Sequence, residues 1–272
     1  MLIAQISDTH VTRPGLKVGQ VIDTNGFLDR AIGALNALDP LPDLVVITGD
    51  LVDHGEAEEY DHFRVLLAPL HMPVLVIPGN HDAREPLRAA FAGNGHLPAD
   101  GFLQFVVEDS PLRIVALDTL VPGEVGGELC EERLAWLARA LASAPERPTV
   151  LLMHHPPFAT GIDWMDGIGL RSGGPALADI VRRNPQIQRI LCGHVHRAID
   201  CRFAGTVAGT APSTAHQLVL DLRTGSGVGF AFEPPGYQLH RWDPSGGLVT
   251  HTAVIGDWPR LYPVAPGKLR VG

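Results

Sequence analysis

Residues 74–82 read VLVIPGNHD, an apolar run that breaks off into an amide, an imidazole and a carboxylate. Val74-Leu75-Val76-Ile77 has the look of a strand buried on both faces, and loops at the ends of such strands are where a rigid scaffold presents chemistry to water. Taken alone, Asn80-His81-Asp82 reads better as an N-cap cluster for a helix expected over 83–92, since Asn and Asp both cap well. The rest of the chain has to outweigh that reading.

Working outward, the first half alternates. Strands are expected at 2–6, 44–48 and 74–77. Between them, apolar residues at helical spacing predict helices over 25–38 (Phe27, Leu28, Ala31, Ile32, Leu35, Leu38) and 56–70 (Tyr60, Phe63, Leu67, Leu70). Strands apolar on both faces and separated by helices indicate parallel β-α-β units. The pattern then shifts: 102–107 and 112–117 read as an antiparallel pair, with a helix over 131–141, a strand at 149–153, a helix over 176–183 and a short strand at 189–192. From Ala198 onward the chain is strand-like and rich in Gly and Pro, with strands expected at 217–222, 229–232, 238–242 and 248–254. No internal repeat and no linker divides the chain. The expected class is α/β, a mixed sandwich with sheets inside, helices outside and a β-rich C-terminal extension. Residues 1–215 form the expected core, and 216–272 complete it.

The 272 residues are 45% hydrophobic, ample for one large core, and carry a formal net charge of −9. An acidic surface argues against duplex nucleic acid as partner, because phosphate neutralisation needs basic side chains. A small phosphate substrate remains open if a metal brings the positive charge. Apolar runs fall well short of the ~20 residues of a membrane span. Met1 runs directly into a strand without a signal-peptide pattern, so a cytoplasmic protein is expected. Cys130, Cys192 and Cys201 form no CxxC and read as reduced thiols.

The informative comparison is between strand ends. The strand at 2–6 is followed by Asp8 and His10, and that at 44–48 by Asp50 and Asp53. Asn80, His81 and Asp82 follow 74–77, His154 and His155 follow 149–153, and His194 and His196 follow 189–192. Parallel strands deliver their C-terminal ends to one edge, so the five loops converge. Carboxylates, imidazoles and one amide, with no thiolate, suit Mn, Fe, Zn or Co rather than a closed structural zinc site. Gly49, Gly79 and Gly193 each precede a donor, where close backbone approach leaves no room for a Cβ.

The order Asp-x-His, Gly-Asp-x-x-Asp, Gly-Asn-His-Asp, His-His-Pro-Pro, Gly-His-x-His, spanning residues 8–196, resembles the calcineurin-like metallophosphoesterases. Within them it is most similar to the bacterial group of class III cyclic-nucleotide phosphodiesterases and glycerophosphodiesterases. The resemblance implies a four-layer α/β/β/α sandwich and two divalent transition-metal ions. Asp8, His10 and His196 would hold one and Asn80, His154 and His194 the other, with Asp50 shared. His155, Asp53 and Asp82 become neighbours that orient those groups or cap turns. His81 is the candidate to protonate a leaving alkoxide or bind a phosphate oxygen, and His216 stands where the glycerophosphodiesterases have a substrate-side histidine. The expected activity is hydrolysis of a small phosphodiester, glycerophosphodiester or 3′,5′-cyclic nucleotide, by a water that the metals acidify. A phosphomonoesterase is the nearest alternative, and an inactive scaffold is disfavoured by the full set of donors. Segment 158–174, with Trp164, Met165 and Arg171, reads either as a lid or as a long loop with a buried Trp. The C-terminal strands, with Phe230, Phe232, Tyr237 and Trp242, either complete the protomer's sheet or form the edge of a homo-oligomer.

Overall fold

The computed structural model describes residues 1–256; the end of the expected 216–272 part lies outside them. Two sheets stack face to face. The first is ordered Gly247–Val254, Gly236–Asp243, Leu2–Ile6, Leu44–Ile47, Val74–Val76, and the second Ile199–Phe203, Thr206–Thr210, Ile187–Cys192, Thr149–Leu152, Arg113–Ala116, Phe105–Val107. Leu2–Ile6, Leu44–Ile47 and Val74–Val76 run parallel, as do the four central strands of the second sheet.

Side-chain alternation sorts the core into three layers. Ala4, Ile6, Val45 and Ile47 face helices Thr24–Asn36 and Ala57–Leu67, where Leu28, Ile32, Leu35 and Phe63 meet them. Ile3, Leu44, Val46 and Leu75 face Ile114, Val150, Leu152 and Leu191 between the sheets. Val115, Leu151 and Ile190 face outward to Leu137, Leu141 and Leu177 of helices Glu131–Ala142 and Gly174–Arg182. This is the expected four-layer sandwich. Local signals agree with it: Asp23 caps the first helix through Gly26 N, and Glu56 and Glu59 form a capping box on the second.

One polar chain crosses the inter-sheet layer. Gln5 donates to Thr48 Oγ1 and the Cys192 carbonyl, both at 2.9 Å, and accepts from His240 Nε2 at 3.0 Å. It ties the strand Gly236–Asp243 to both sheets. That strand pairs antiparallel with Leu2–Ile6, so the C-terminal hairpin joins the protomer's own sheet, and Gly247–Val254 is the edge.

Several expectations need correction. The strand expected at 217–222 is only Gln217–Leu218, and that at 229–232 only Phe230–Ala231; Glu233-Pro234-Pro235 follows, and prolines donate nothing to a ladder. The hairpin Ile199–Phe203 with Thr206–Thr210 was not resolved into strands in the sequence, because its residues alternate weakly. Segment 158–174 is neither a bare loop nor built on a buried Trp. It carries a short helix, Asp163–Gly167, and a strand, Leu170–Ser172, that pairs with Gly127–Glu128, and Trp164 is 50% exposed.

Candidate metal centre

The five strand ends do converge. Each donor is placed by backbone that continues the parallel pairing: Asp8 N donates to the Gly49 carbonyl, His10 N to Asp50 and Val11 N to Leu51. The turns are tight enough to force non-glycine residues into the left-handed region. Five of the seven such residues among those described are Asp8, His10, Asp50, His194 and His196, with φ from 43° to 72°. A conformation costing of order 1–3 kcal/mol per residue persists only where the surroundings over-determine it. At Gly79 a methyl group would run into Asp50 Oδ1 and the Asp50 backbone nitrogen, and at Gly49 into the His154 ring.

Asp82 locks this frame. Its Oδ2 accepts from Gly79 N at 2.8 Å and Leu51 N at 3.1 Å, and its Oδ1 from the Tyr60 hydroxyl at 2.8 Å. It caps its own turn through Gly79 N but no helix, since the helix Arg84–Ala90 has no side-chain cap. The capping reading of Asn80-His81-Asp82 is therefore overturned.

Imidazole tautomers reveal what the donors surround. His10 Nδ1 meets Asp53 Oδ1 at 3.2 Å, His154 Nδ1 the Thr48 carbonyl at 2.8 Å, His194 Nε2 the Ile168 carbonyl at 3.1 Å and His196 Nδ1 the His216 carbonyl at 3.0 Å. Carboxylate and carbonyl oxygens only accept, so each of these nitrogens carries the hydrogen, and each ring, when neutral, turns a bare nitrogen inward. Those inward nitrogens meet other acceptors. His10 Nε2 faces His196 Nε2 at 3.1 Å, and His196 Nε2 lies 3.5 Å from Asp8 Oδ1. The Asn80 Oδ1 is 3.0 Å from His194 Nδ1 and 3.2 Å from His154 Nε2. Asp50 Oδ2 faces both groups, 3.7 Å from His10 Nε2 and 3.4 Å from His154 Nε2. Lone pairs facing lone pairs in a buried site require positive charge between them.

The titration of the groups divides the rings, with His154 and His10 drawn toward protonation by the carboxylates around them and His194 and His196 held neutral. Burial, aided by the charge of Asp50 against the pull of His154, pushes the Asp8 carboxyl up to about 6, and its buried Oδ2 has no partner. Burial opposes protonation of His154, yet Asp50 and Asp8 outweigh it and push the ring up to about 9. Burial and the neighbouring imidazoles hold His194 well below its ordinary range and His196 down at about 3, so both stay neutral as ligands must. Asp8, His10, Asp50 and His196 offer donor atoms within 4.8 Å of one another. A divalent transition metal fits this set of nitrogen and oxygen donors.

Two further clusters of donor atoms overlap the centre, His155 with His154 and His194, and Asp53 and His81 with His10. His155 lies beside His154 and His194, but Thr119 Oγ1 engages its Nδ1 at 2.8 Å and the Val125 carbonyl its Nε2 at 3.2 Å. Both ring nitrogens are spoken for, and burial followed by the charge of His154 drives the ring down to about 3. His81 donates from Nδ1 to the Asp53 carbonyl at 2.8 Å, and its N–H donates to Asp50 Oδ1 at 2.9 Å; the side chain is 39% exposed. The His216 ring packs against His10, His196 and the edge of Phe230, with Nδ1 unpartnered. Tyr60, Thr119 and the carbonyls of Thr48 and Ile168 escaped the sequence reading. Nothing in their local sequence marks them: Tyr60 and Thr119 offer single hydroxyls, and Thr48 and Ile168 act through carbonyls that every chain possesses.

The model of calcineurin-like phosphoesterases matches residues 1–198, the part that carries all of the clustered donors. The chain belongs to the calcineurin-like phosphoesterase family. Among its curated relatives in this family are the probable glycerophosphodiester phosphodiesterase GpdQ of Arcobacter nitrofigilis, 40% identical over 97% of this chain and 96% of that protein, and the 3′,5′-cyclic adenosine monophosphate phosphodiesterase CpdA of Pseudomonas aeruginosa, 34% identical over 94% and 91%. A solved calcineurin-like fold, the dimetal phosphatase from Danio rerio, superposes with a TM-score of 0.64 over 94% of this chain and 99% of that one at 15% identity, which speaks for the fold alone.

A cavity of 370 Å³ opens over the donors of this phosphoesterase. His10, Asp50, Asn80, His194, His196 and His216 line its floor, and Trp164, Met165, Ile168, Leu218, Val228 and Phe230 its walls. Among the described residues, neither Lys nor Arg lines it.

Proposed function

We propose that this chain is a metal-dependent phosphodiesterase acting on small diesters, glycerophosphodiesters or 3′,5′-cyclic nucleotides. The observation that carries the reading is the set of four imidazoles, each oriented by an acceptor on its outer nitrogen, whose inner nitrogens converge with the oxygens of Asp8, Asp50 and Asn80. In this reading Asp8, His10 and His196 would hold one divalent ion and Asn80, His154 and His194 a second, with Asp50 in reach of both sets of donors. Bound there, such ions supply Lewis acidity to phosphate oxygens and make water acidic enough to attack phosphorus near neutral pH.

The chain's own residues do the rest. Asp53 and the carbonyls of Thr48, Ile168 and His216 fix each ring, so the donors are held without reorganisation during the reaction. His81, with Nδ1–H committed to the Asp53 carbonyl, carries a second proton on Nε2 only as imidazolium; in that form it hydrogen-bonds a phosphate oxygen or protonates the departing alkoxide. His216, buried and held at about 2 by burial and then by the charges of His196 and His10, stays neutral and serves the substrate as a hydrogen-bonding wall.

Diesters fit better than monoesters. With neither Lys nor Arg lining the cavity, a monoanionic diester meets only the metals, whereas a dianionic monoester would lack a cationic side chain for its second charge. The two curated relatives, named for glycerophosphodiester and cyclic adenosine monophosphate hydrolysis, support the same substrate class. Residues 1–215 carry the metal donors and residues from 216 onward supply part of the wall and the sheet edge, the division of labour we propose. The edge strand Gly247–Val254, exposing Val249 and Val254, supports pairing across a two-fold as a homo-oligomer, and three free cysteines suit a reducing cytoplasm.

The test is reconstitution of metal-stripped protein with Mn²⁺, followed by hydrolysis of bis(p-nitrophenyl) phosphate and p-nitrophenyl phosphate. Faster cleavage of the diester is expected. Preference for the monoester would replace the reading with a phosphatase.

A further inference from the structure

Two cavities, not one, open from the metal donors. The second is a groove of 600 Å³ on the far side of the Asn80-His81 pair, and its lining includes His54, Arg84, Glu85, Leu120, Pro122 and Gly123. Asn80 and His81 are the residues it shares with the apolar chamber. Phosphorus held over the metal donors therefore stands at a junction between two rooms of different character.

The chamber is walled by Trp164, Met165, Ile168, Leu218, Val228 and Phe230, a surface suited to an apolar or flat group. The groove is the more polar of the two, and its basic side chains are already matched, His54 by Glu59 and Arg84 by Asp118. Arg84 Nε donates to Asp118 Oδ2 at 2.6 Å, and its Nη2 to Asp118 Oδ1 at 2.9 Å and the Leu120 carbonyl at 2.5 Å. Glu85 adds an exposed carboxylate. Such a groove repels an anionic group and offers hydrogen bonds to a neutral, hydroxyl-bearing one.

On the phosphodiesterase reading, which this inference extends, we propose that the site is built for acyclic, unsymmetrical diesters: the apolar or flat ester arm occupies the chamber and the neutral hydroxylated arm the groove beyond His81. A diester projects two arms from one phosphorus, and here each has a room. A cyclic diester ties both arms together and fills one room, leaving the other without a role. His81, facing both, is placed to serve the oxygen of either arm.

The experiment compares two diesters that release the same chromophore, glyceryl p-nitrophenyl phosphate and methyl p-nitrophenyl phosphate, with the Mn²⁺-loaded protein. The wild type favours the glyceryl diester. Filling the groove from its exposed rim, by Pro122→Trp and separately by Glu85→Trp, lowers the glyceryl-to-methyl ratio of kcat/KM by about tenfold, the scale on which pocket contacts discriminate. Calorimetric titration with the glyceryl and methyl esters of phenylphosphonate, whose P–C bond is inert and whose alkoxide is a poor leaving group, shows the same shift in relative affinity. An unchanged ratio in both variants, with melting temperatures showing them folded, overturns the two-room assignment, as does a wild type indifferent to the glyceryl arm. Wild-type protein that hydrolyses neither diester refutes instead the phosphodiesterase reading beneath it.

Discussion

The floor of the cavity and its walls are made in opposite ways. The floor is polar, buried and strained: His10, Asp50, His194 and His196, like the fully buried Asp8 beside them, sit at positive φ on loops pinned to the ends of parallel strands. The walls are apolar and partly exposed, with Trp164 at 50% and Phe230 at 57%, and they come from the short helix Asp163–Gly167 and the two-residue strands near 217 and 230. The floor is held by the whole sandwich and sets the chemistry. The walls are held by little beyond themselves and set which molecule is admitted. Changes in the floor should act on turnover, and changes in the walls on recognition.

The sharpest way to break that contrast is Asp50→Ala, which removes the oxygen facing both donor groups. Activity is expected to fall by a factor of at least about a thousand, beyond the usual cost of one electrostatic stabiliser, read as kcat on the diester. Next comes His81→Ala. Loss of a proton donor lowers kcat by about a hundredfold, and the loss is confined to substrates with poor leaving groups such as alkyl alcohols, which a pair of alkyl and nitrophenyl diesters resolves. Equal loss on both would make His81 a brace for Asp50 instead. In the walls, Phe230→Ala and Trp164→Ala should raise KM about tenfold with kcat nearly unchanged, as removal of apolar contact does. A fall in kcat alone would dissolve the distinction between floor and walls.

The smallest effect concerns stability rather than catalysis. Burial, followed by the charge of Arg189, holds His240 down at about 3, while its two nitrogens engage Gln5 and Thr250. In the unfolded chain this ring takes up its proton near 6.5; folded, it resists until about 3. The unfolded state therefore binds the extra proton between those values, and stability is lost as pH falls through that window. His240→Gln should flatten the melting-temperature profile there by the uptake of about one proton, with little change above pH 7.

The floor was legible in the sequence because its chemistry resides in residue types at fixed places. Asp, His and Asn after apolar runs such as Val74–Val76 announce both the strand and the site at its end. The bracing was not legible. Thr48 and Ile168 act through carbonyls, and Asp82 reads as a cap until its bonds to Gly79, Leu51 and Tyr60 are seen. The walls were legible only as apolar residues, since Trp164 and Phe230 stand in Gly-rich segments where strand and loop patterns look alike. That Trp164 and Phe230 line one cavity is a property of the assembled sandwich.

The most direct test of the account is metal stoichiometry. Stripped protein titrated with Mn²⁺ and measured by atomic emission after dialysis should retain two ions per chain, falling to one or fewer in both Asp50→Ala and Asn80→Ala while the fold survives. One ion in the wild type, or two in either variant, would contradict the assignment of two donor groups joined through Asp50.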